Sequence, residues 1–291
     1  MKGLFVLLSL ILLLQACSTP EQEAERADPT LDSVLTRGHV PTAEEANALY
    51  QDGRYEAAAT KYAAIIRADP SNHVAAFQLG ESLLHLHRPK ESVGYFTASK
   101  ESPEFEARSL QGIGLAFLQM GDPEIAEERL NEALALDDGL WRAHNAIGQI
   151  EDTRSAWSAS MAAYGRALEL KPKSATLRNN LGMSYLLQRK YKPAISEFQT
   201  ALELDPSLSP ARTNLRMALA LNGNYADALA GVTEDQLADA LNNIGYAAML
   251  RGDYDAAETY LTRAMEASPA YHRKAASNLA RVQYLKQKKS G

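Results

Sequence analysis

The chain has 291 residues, of which 46% are hydrophobic and 23% are charged, and its formal net charge is −6. This composition suits a large folded domain or a repeat array, and the negative balance argues against a nucleic-acid binder, which normally has a basic face. The single cysteine, Cys17, excludes an internal disulfide and a cysteine-type zinc site. Its thiol is therefore lipidated, catalytic or incidental.

Residues 1–16 predict a signal peptide. Lys2 gives a short positive start, and residues 4–14 form an apolar run that only Ser9 interrupts. A run of about eleven residues is too short for a helix to cross a ~30 Å hydrocarbon core, but it suits the apolar region of a signal peptide. No other stretch of the sequence is a candidate for spanning a membrane.

The residues LQAC at 14–17 resemble the bacterial lipobox. That resemblance implies cleavage before Cys17 and acylation of its thiol, and several acyl chains are enough for stable anchoring. Ser18 rather than aspartate follows the cysteine, which by the same resemblance implies transport to the outer membrane, periplasmic face, of a Gram-negative bacterium. A plain secretory signal or a signal anchor, with the cysteine there by chance, is the alternative.

Residues 17–38 are expected to form an acidic flexible tether that carries the lipidated cysteine. The segment is polar, contains two prolines and has no convincing helical stripe of apolar residues. About 23 flexible residues have a root-mean-square reach of about 26 Å. A tether of this length would let a folded body stand away from the membrane.

A 34-residue period runs through the rest of the chain. It is marked by small residues that follow an aliphatic one, at Gly80, Gly114, Gly148 and Gly182. Ala46 and Arg216 continue the series at the same interval in the two directions, and Gly245 follows 29 residues later. A period of 34 is the length of the tetratricopeptide (TPR) repeat, and NNLGMSYLLQRKYKPAISEFQTALELDP at 179–206 resembles its signature.

This pattern predicts an all-α fold, a TPR superhelix (α-solenoid) of about seven helix-turn-helix units at residues 39–271. A capping helix with a basic tail is expected at 272–291. Gly182 and Ala194 are small so that the two helices of a unit can pack closely, and Phe198 fills the space between them. Each unit buries its apolar face only against its neighbours.

The sixth unit departs from the pattern. Arg216 stands where glycine is expected, and the sequence around GVTEDQ at 231–236 shortens the second helix by five residues. The arginine is expected to force the helices apart or to point outward. The departure is either simple decay of the repeat or a functional bend between a six-unit body and the last unit.

No part of the sequence has the pattern of an active site. The sequence contains no nucleophile elbow, zinc-protease motif or phosphate loop. His85 and His87 are two residues apart, and side chains at that spacing on a helix do not face each other. We therefore expect no enzyme activity, no catalytic residue, no metal site, no cofactor and no small-molecule substrate.

The predicted binding surface is the inner groove. In the TPR family the first helix of each unit lines it, and this resemblance selects Arg142, Asn145, Asn179, Asn180, Met183, Asn214, Met217, Asn242, Asn243 and Tyr246. Asn180, Asn214 and Asn243 share one position in three successive units, and each amide offers a donor and an acceptor that could pair with an extended peptide. The methionines add adaptable apolar surface. Alternatively, asparagine is merely tolerated there.

The lipobox, the short acidic tether and the repeat sequence at about 140–230 together resemble the TadD-like TPR lipoproteins of tight-adherence (Flp pilus) assembly. This resemblance implies an outer-membrane-anchored scaffold that assists assembly of a pilus or secretion machine. Its partners would be other proteins, through peptide segments or assembly components, and the membrane through the N-terminal lipid, with no nucleic acid. The alternative is a periplasmic adaptor that docks cell-wall enzymes or proteases at the outer membrane.

Overall fold

The computed structural model describes residues 40–268 and 272–290, and these ranges contain helices and turns but no strand. The predicted signal peptide, Cys17 and the tether lie outside the described residues. The described residues form two compact units, one at 40–172 and one that begins at Lys173. Each unit is a series of antiparallel helix pairs, and we call the first helix of a pair helix A and the second helix B.

The unit at 40–172 contains four helix pairs. The pairs are α1 (Ala43–Gln51) with α2 (Tyr55–Ala68), α3 (His73–His85) with α4 (Pro89–Ser99), α5 (Glu106–Met120) with α6 (Pro123–Leu136), and α7 (Trp141–Thr153) with α8 (Trp157–Leu170).

The unit that begins at Lys173 contains three pairs and a final helix. Its elements are α9 (Ala175–Leu187) with α10 (Tyr191–Leu204), α11 (Ser209–Asn222) with α12 (Tyr225–Ala228), a 3-10 turn (Glu234–Gln236), α13 (Leu237–Arg251) with α14 (Tyr254–Ala267), and α15 (His272–Ser290). The predicted all-α class, with about seven helix pairs and a helix after them, is confirmed.

In six of the seven described pairs, the core is built on a small residue of helix A and a large residue of helix B that follows sixteen positions later. The pairs are Ala46 with Tyr62, Gly80 with Phe96, Gly114 with Leu130, Gly148 with Tyr164, Gly182 with Phe198, and Gly245 with Leu261. The large residue is at most 1% exposed in every pair. A methyl group added at Gly182 would lie 2.6 Å from Cε1 of Phe198. Because that distance is well inside van der Waals contact, the absence of a side chain is what lets the two helices approach.

The turn from helix A to helix B requires a left-handed residue in all seven described pairs. Glycine supplies it in four pairs, at Gly53, Gly121, Gly223 and Gly252. In the other three pairs the residue is His87, Ser155 or Arg189, with φ of +54°, +58° and +60°. A residue with a Cβ atom costs roughly 1–2 kcal/mol more than glycine in this conformation. The repeat therefore conserves the shape of the turn while its residue type varies.

Side-chain caps fix where several helices begin. Thr42, Asn72, Ser174 and Asp253 each accept a hydrogen bond from a backbone N–H in the first turn of the helix that follows. Such a cap stabilises a helix by about 1 kcal/mol, because it satisfies a donor that has no partner within the helix. Proline occupies the first turn of α4, α6 and α11, where its missing N–H costs nothing.

The sixth pair is the irregular one. Its helix B, α12, has four residues, and the chain then runs through Gly231 to the 3-10 turn. Arg216 is half-buried and reaches this loop: its Nη2 donates to the carbonyl oxygen of Gly231 at 3.3 Å, and its Nη1 to Oε1 of Gln236 at 3.5 Å. The arginine therefore holds the loop that replaces most of helix B.

Candidate functional site

The predicted groove residues include a buried pair of asparagines that joins two A helices. Nδ2 of Asn214 on α11 donates to Oδ1 of Asn179 on α9 at 2.9 Å, and the two residues are 8% and 9% exposed. Nδ2 of Asn179 donates in turn to Oδ1 of Asn180 at 3.3 Å. A buried amide without a hydrogen-bond partner would destabilise the fold. The bond between Asn214 and Asn179 therefore stabilises the contact between the fifth and sixth pairs.

The same arrangement recurs at the end of the chain. Nδ2 of Asn278 on α15 donates to Oδ1 of the buried Asn242 on α13 at 3.1 Å, and Nδ2 of Asn242 donates to Asn243 at 3.5 Å. The helix after the last pair thus packs as if it were the A helix of a further pair. Asn278 is not among the predicted groove residues, since the sequence predicts residues 272–291 only as a capping helix with a basic tail.

The remaining predicted groove residues of this unit are half-buried. Met183 and Met217 pack against the apolar cluster around Phe198, and Tyr246 packs against the cluster around Leu261. Asn180 and Asn243 are also half-buried. These five side chains present the adaptable part of the predicted surface, whereas Asn179, Asn214 and Asn242 are used within the fold.

In the unit at 40–172, Asn145 is half-buried on α7, and Arg142 has a specific partner. Its Nη1 lies 2.7 Å from Oε2 of Glu81, which is on α3, 61 residues earlier in the sequence. Glu81 is 5% exposed, and its other carboxylate oxygen, Oε1, has no hydrogen-bond partner within the described part of the chain. The pair joins helices A of two non-adjacent repeats.

A cavity of about 340 Å³ opens beside this ion pair. Helices α1, α3 and α5 and the start of α7 surround it. The lining residues are Tyr50, Gln51, Phe77, Gln78, Glu81, Arg108, Gln111, Gly139, Leu140, Trp141 and Arg142. We call this cavity the Glu81 pocket. Concave sites with aromatic walls and a few placed polar groups are the usual form of binding pockets.

Burial determines the protonation of two groups near Glu81. Burial, and secondarily the Glu81 carboxylate, raises the pKa of Tyr50 to about 12, so its hydroxyl stays protonated at neutral pH. Burial lowers the pKa of His85, against the opposing effect of Glu81, so this imidazole is neutral at pH 7. The His85 ring stacks on Tyr55 with 4.2 Å between centroids. Arg142 is therefore the cation that Glu81 meets directly.

Arg142 is the only residue of this pocket among the groove residues predicted from the sequence. A signal for Glu81 was present: it is the one charged residue of α3, within the otherwise apolar stretch AAFQLGESLL. A charged side chain inside such a stretch is buried and needs a partner. No pattern in the sequence indicates that this partner is Arg142.

Within residues 40–268 and 272–290, no group of three or more His, Cys, Asp or Glu side chains is arranged to hold a metal ion. Over the same ranges, none of the helices combines the length and the apolar character that crossing a membrane requires.

Family models of the tetratricopeptide repeat match residues 44–105, 112–175, 175–208 and 238–271. An uncharacterized protein of Haemophilus influenzae is 26% identical over 98 residues, which are 34% of this chain. The chain spans 55% of the length of that curated relative.

Two solved structures show the same fold. Pseudomonas aeruginosa pilF is 20% identical with a TM-score of 0.55, and the likeness covers 74% of this chain and 98% of pilF. The APC/C hetero-tetramer Cut9–Hcn1 is 18% identical with a TM-score of 0.59, covering 97% of this chain and 54% of that one.

The matched models span most of the helix pairs described above, and the irregular sixth pair lies between the last two matched ranges. The chain belongs to the tetratricopeptide repeat family.

Proposed function

We propose that this protein is an outer-membrane lipoprotein, anchored through Cys17, that binds protein partners during assembly of a pilus or secretion machine of the Flp type. The observation that carries the proposal is the lipobox at residues 14–17, placed directly before an acidic tether and a TPR fold. The anchor would hold the repeats at the periplasmic face of the membrane. The similarity of residues 140–230 to tight-adherence lipoproteins supports the choice of machine.

The helix-A surfaces supply the contacts for a partner. Asn180, Asn243 and Tyr246 are half-buried and combine polar atoms with apolar area, and Met183 and Met217 add unbranched, adaptable side chains. A scaffold of this kind is not required to perform chemistry. Its role is to hold an extended segment of an assembly component near the membrane, so that the next component meets it at high local concentration.

The test is a crosslinked pull-down of the lipidated protein from outer membranes, with partners identified by mass spectrometry. Dominance of secretin or pilus-assembly proteins is the expected result. Dominance of cell-wall hydrolases or proteases would contradict the pilus role and favour an adaptor that docks those enzymes. The variant Asn180→Ala/Asn243→Ala/Tyr246→Ala should lose the partner and stay folded, as shown by circular dichroism. Its thermal unfolding midpoint should fall, because Asn180 and Asn243 accept from buried amides and Tyr246 packs against the Leu261 cluster.

The anchor is tested separately. Cys17→Ser should prevent lipidation and leave the protein unprocessed or absent from the membrane fraction, because the thiol is the acylated group. Ser18→Ala is the matched control and should keep both lipidation and outer-membrane fractionation. A mature, lipid-labelled Cys17→Ser protein would contradict the anchor.

A further inference from the structure

Glu81 Oε1 is a buried acceptor that the helix packing leaves without a donor. The other oxygen, Oε2, accepts from Nη1 of Arg142 at 2.7 Å, and no donor among residues 40–268 and 272–290 bonds to Oε1. A buried carboxylate oxygen without a hydrogen bond is rare in proteins. Glu81 lines the Glu81 pocket, which is large enough to admit a side chain. Oε1 itself is covered, so a rotation of the carboxylate about the Cγ–Cδ bond must accompany the approach of a donor.

We propose that the Glu81 pocket binds a basic side chain, lysine or arginine, of a partner protein, with an N–H of that side chain donating to Glu81 Oε1. The proposal rests on the proposed function in one respect, that the scaffold binds other proteins. It adds the chemistry of one recognised residue and the position on the scaffold where it binds.

Glu81 Oε1 needs a hydrogen-bond donor because it is buried. A carboxylate accepts only, and it offers about four lone-pair sites. Removing such an oxygen from water without a hydrogen bond destabilises the folded state, and a charged donor forms the stronger type of hydrogen bond. Filling the pocket with a cationic donor would relieve that cost, which makes binding at this oxygen favourable.

Three cations near the pocket, Arg142, Arg108 and Lys171, bear on whether it binds a cationic or an anionic side chain. Lys171 is exposed and lies over the Trp141 ring, with 4.3 Å between its Nζ and the ring centroid. Arg142 is committed to Oε2, and His85 is neutral at pH 7. Arg108 is exposed and stacks over the Phe77 ring, with 4.4 Å between its guanidinium carbon and the ring centroid. A solvated cation attracts an anion weakly, because water screens it. The buried unpartnered oxygen therefore outweighs the exposed arginine and lysine.

The net negative charge of residues 40–172 and the residues that line the pocket also favour a cationic side chain. Residues 40–172 carry 20 acidic and 12 basic side chains, and a surface with this excess attracts cationic segments. The rings of Tyr50 and Trp141 and the Leu140 side chain are part of the wall. Lysine and arginine have long apolar stems that such walls can contact while the charged end reaches a polar group.

The experiment uses the full-length protein in detergent, with Trp157→Phe so that Trp141 is the remaining tryptophan of the two. Its fluorescence is followed while acetyl-Gly-Gly-Xaa-Gly-Gly-amide peptides are added, with Xaa as Lys, Arg, norleucine or Glu. The Lys and Arg peptides should bind at least about tenfold more tightly than the norleucine peptide, which keeps the stem and lacks the donor.

Two variants locate the binding. Glu81→Gln keeps the shape of the side chain and should weaken the Lys peptide by about tenfold or more, because the charged hydrogen bond is lost. Its thermal unfolding is measured alongside to show that it folds. Glu104→Gln makes the same change at an exposed glutamate that does not line the pocket, so this matched control should leave the Lys peptide bound as tightly as before.

Three results would overturn the proposal: equal binding of the Lys and norleucine peptides, Lys-peptide binding unchanged by Glu81→Gln, or no binding of any peptide at millimolar concentration. Tighter binding of the Glu peptide, lost in Arg108→Gln, would identify an anion site instead. None of these results affects the pull-down or the Cys17 test, so failure here is distinguishable from failure of the proposed function.

Discussion

The fifth and sixth helix pairs are consecutive in one unit, but their A and B helices pack against each other in different ways. In the fifth pair, α10 has 14 residues and places the fully buried Phe198 against Gly182. In the sixth pair, α12 has four residues, and the position sixteen residues after Arg216 is Val232, which is in a loop and half-buried. The two pairs share one apolar cluster.

This difference shows what the glycine is for. A small residue, glycine or alanine, is needed only where helix B brings a large side chain against helix A. Where helix B stops early, a long side chain fits at the glycine position, and Arg216 uses it to bond the loop. The arginine is therefore a consequence of the short helix, and the two changes belong together.

Phe198→Ala should produce the largest effect, because it empties the space that the whole fifth pair is built around. The expected loss of stability is about 3–5 kcal/mol. Val232→Ala, at the equivalent position of the sixth pair, is the matched control and should cost less than about 1.5 kcal/mol. Guanidinium unfolding followed by circular dichroism measures both. Equal losses would mean that the sixth pair has a core of the ordinary kind.

Gly182→Ala should cost about 1–3 kcal/mol, because its methyl group would overlap the ring of Phe198 and the core would have to shift. Arg216→Ala, which introduces the same residue at the equivalent position, should cost less, since α12 has already ended where a helix B would be in contact. The same unfolding experiment compares the two. A larger loss for Arg216→Ala would contradict the account of the glycine position.

Arg216→Met keeps much of the side-chain length and removes the two hydrogen bonds to Gly231 and Gln236. We expect a loss of about 0.5–1.5 kcal/mol, with faster amide exchange confined to residues 229–236. Hydrogen exchange measured by mass spectrometry separates this local effect from a global one. Unchanged exchange in the loop would show that the arginine does not hold it.

The smallest effect concerns the turn that joins the two pairs. The side chain and backbone N–H of Ser207 donate to Asp205, and these bonds lower the pKa of the Asp205 carboxyl. A depressed folded-state pKa contributes stability above the unfolded pKa, and the contribution is lost as the pH falls through the folded pKa. Ser207→Ala should raise the Asp205 pKa toward its ordinary value, as measured by NMR titration. An unchanged Asp205 pKa would show that the Ser207 side chain does not lower it.

Much of the fold follows from the sequence because the repeat is local. The 34-residue spacing of Gly80, Gly114, Gly148 and Gly182 predicts the helix pairs, since every regular pair closes on residues sixteen positions apart. The irregularity at Arg216 was visible for the same reason. Its bonds to Gly231 and Gln236 were not, because a loop without periodicity does not predict where a side chain points.

The candidate site follows from the sequence much less. Asn214 was expected to face a partner, yet its position relative to Asn179 depends on how one A helix rotates against the next. The bond between Glu81 and Arg142 spans 61 residues, and no periodic pattern relates the two. A pocket between several helices is a property of their arrangement, which sequence spacing within single helices does not encode.

The left-handed turns have a consequence for laboratory evolution of the protein. His87, Ser155 and Arg189 occupy a backbone conformation that glycine adopts at the corresponding turn of the other pairs. Glycine at these three positions would relieve the steric cost of the Cβ atom, although it raises the entropy of the unfolded chain. A selection for thermal tolerance should therefore enrich glycine at positions 87, 155 and 189. Because these turns join helices A and B, such gains would accumulate without altering the binding surfaces.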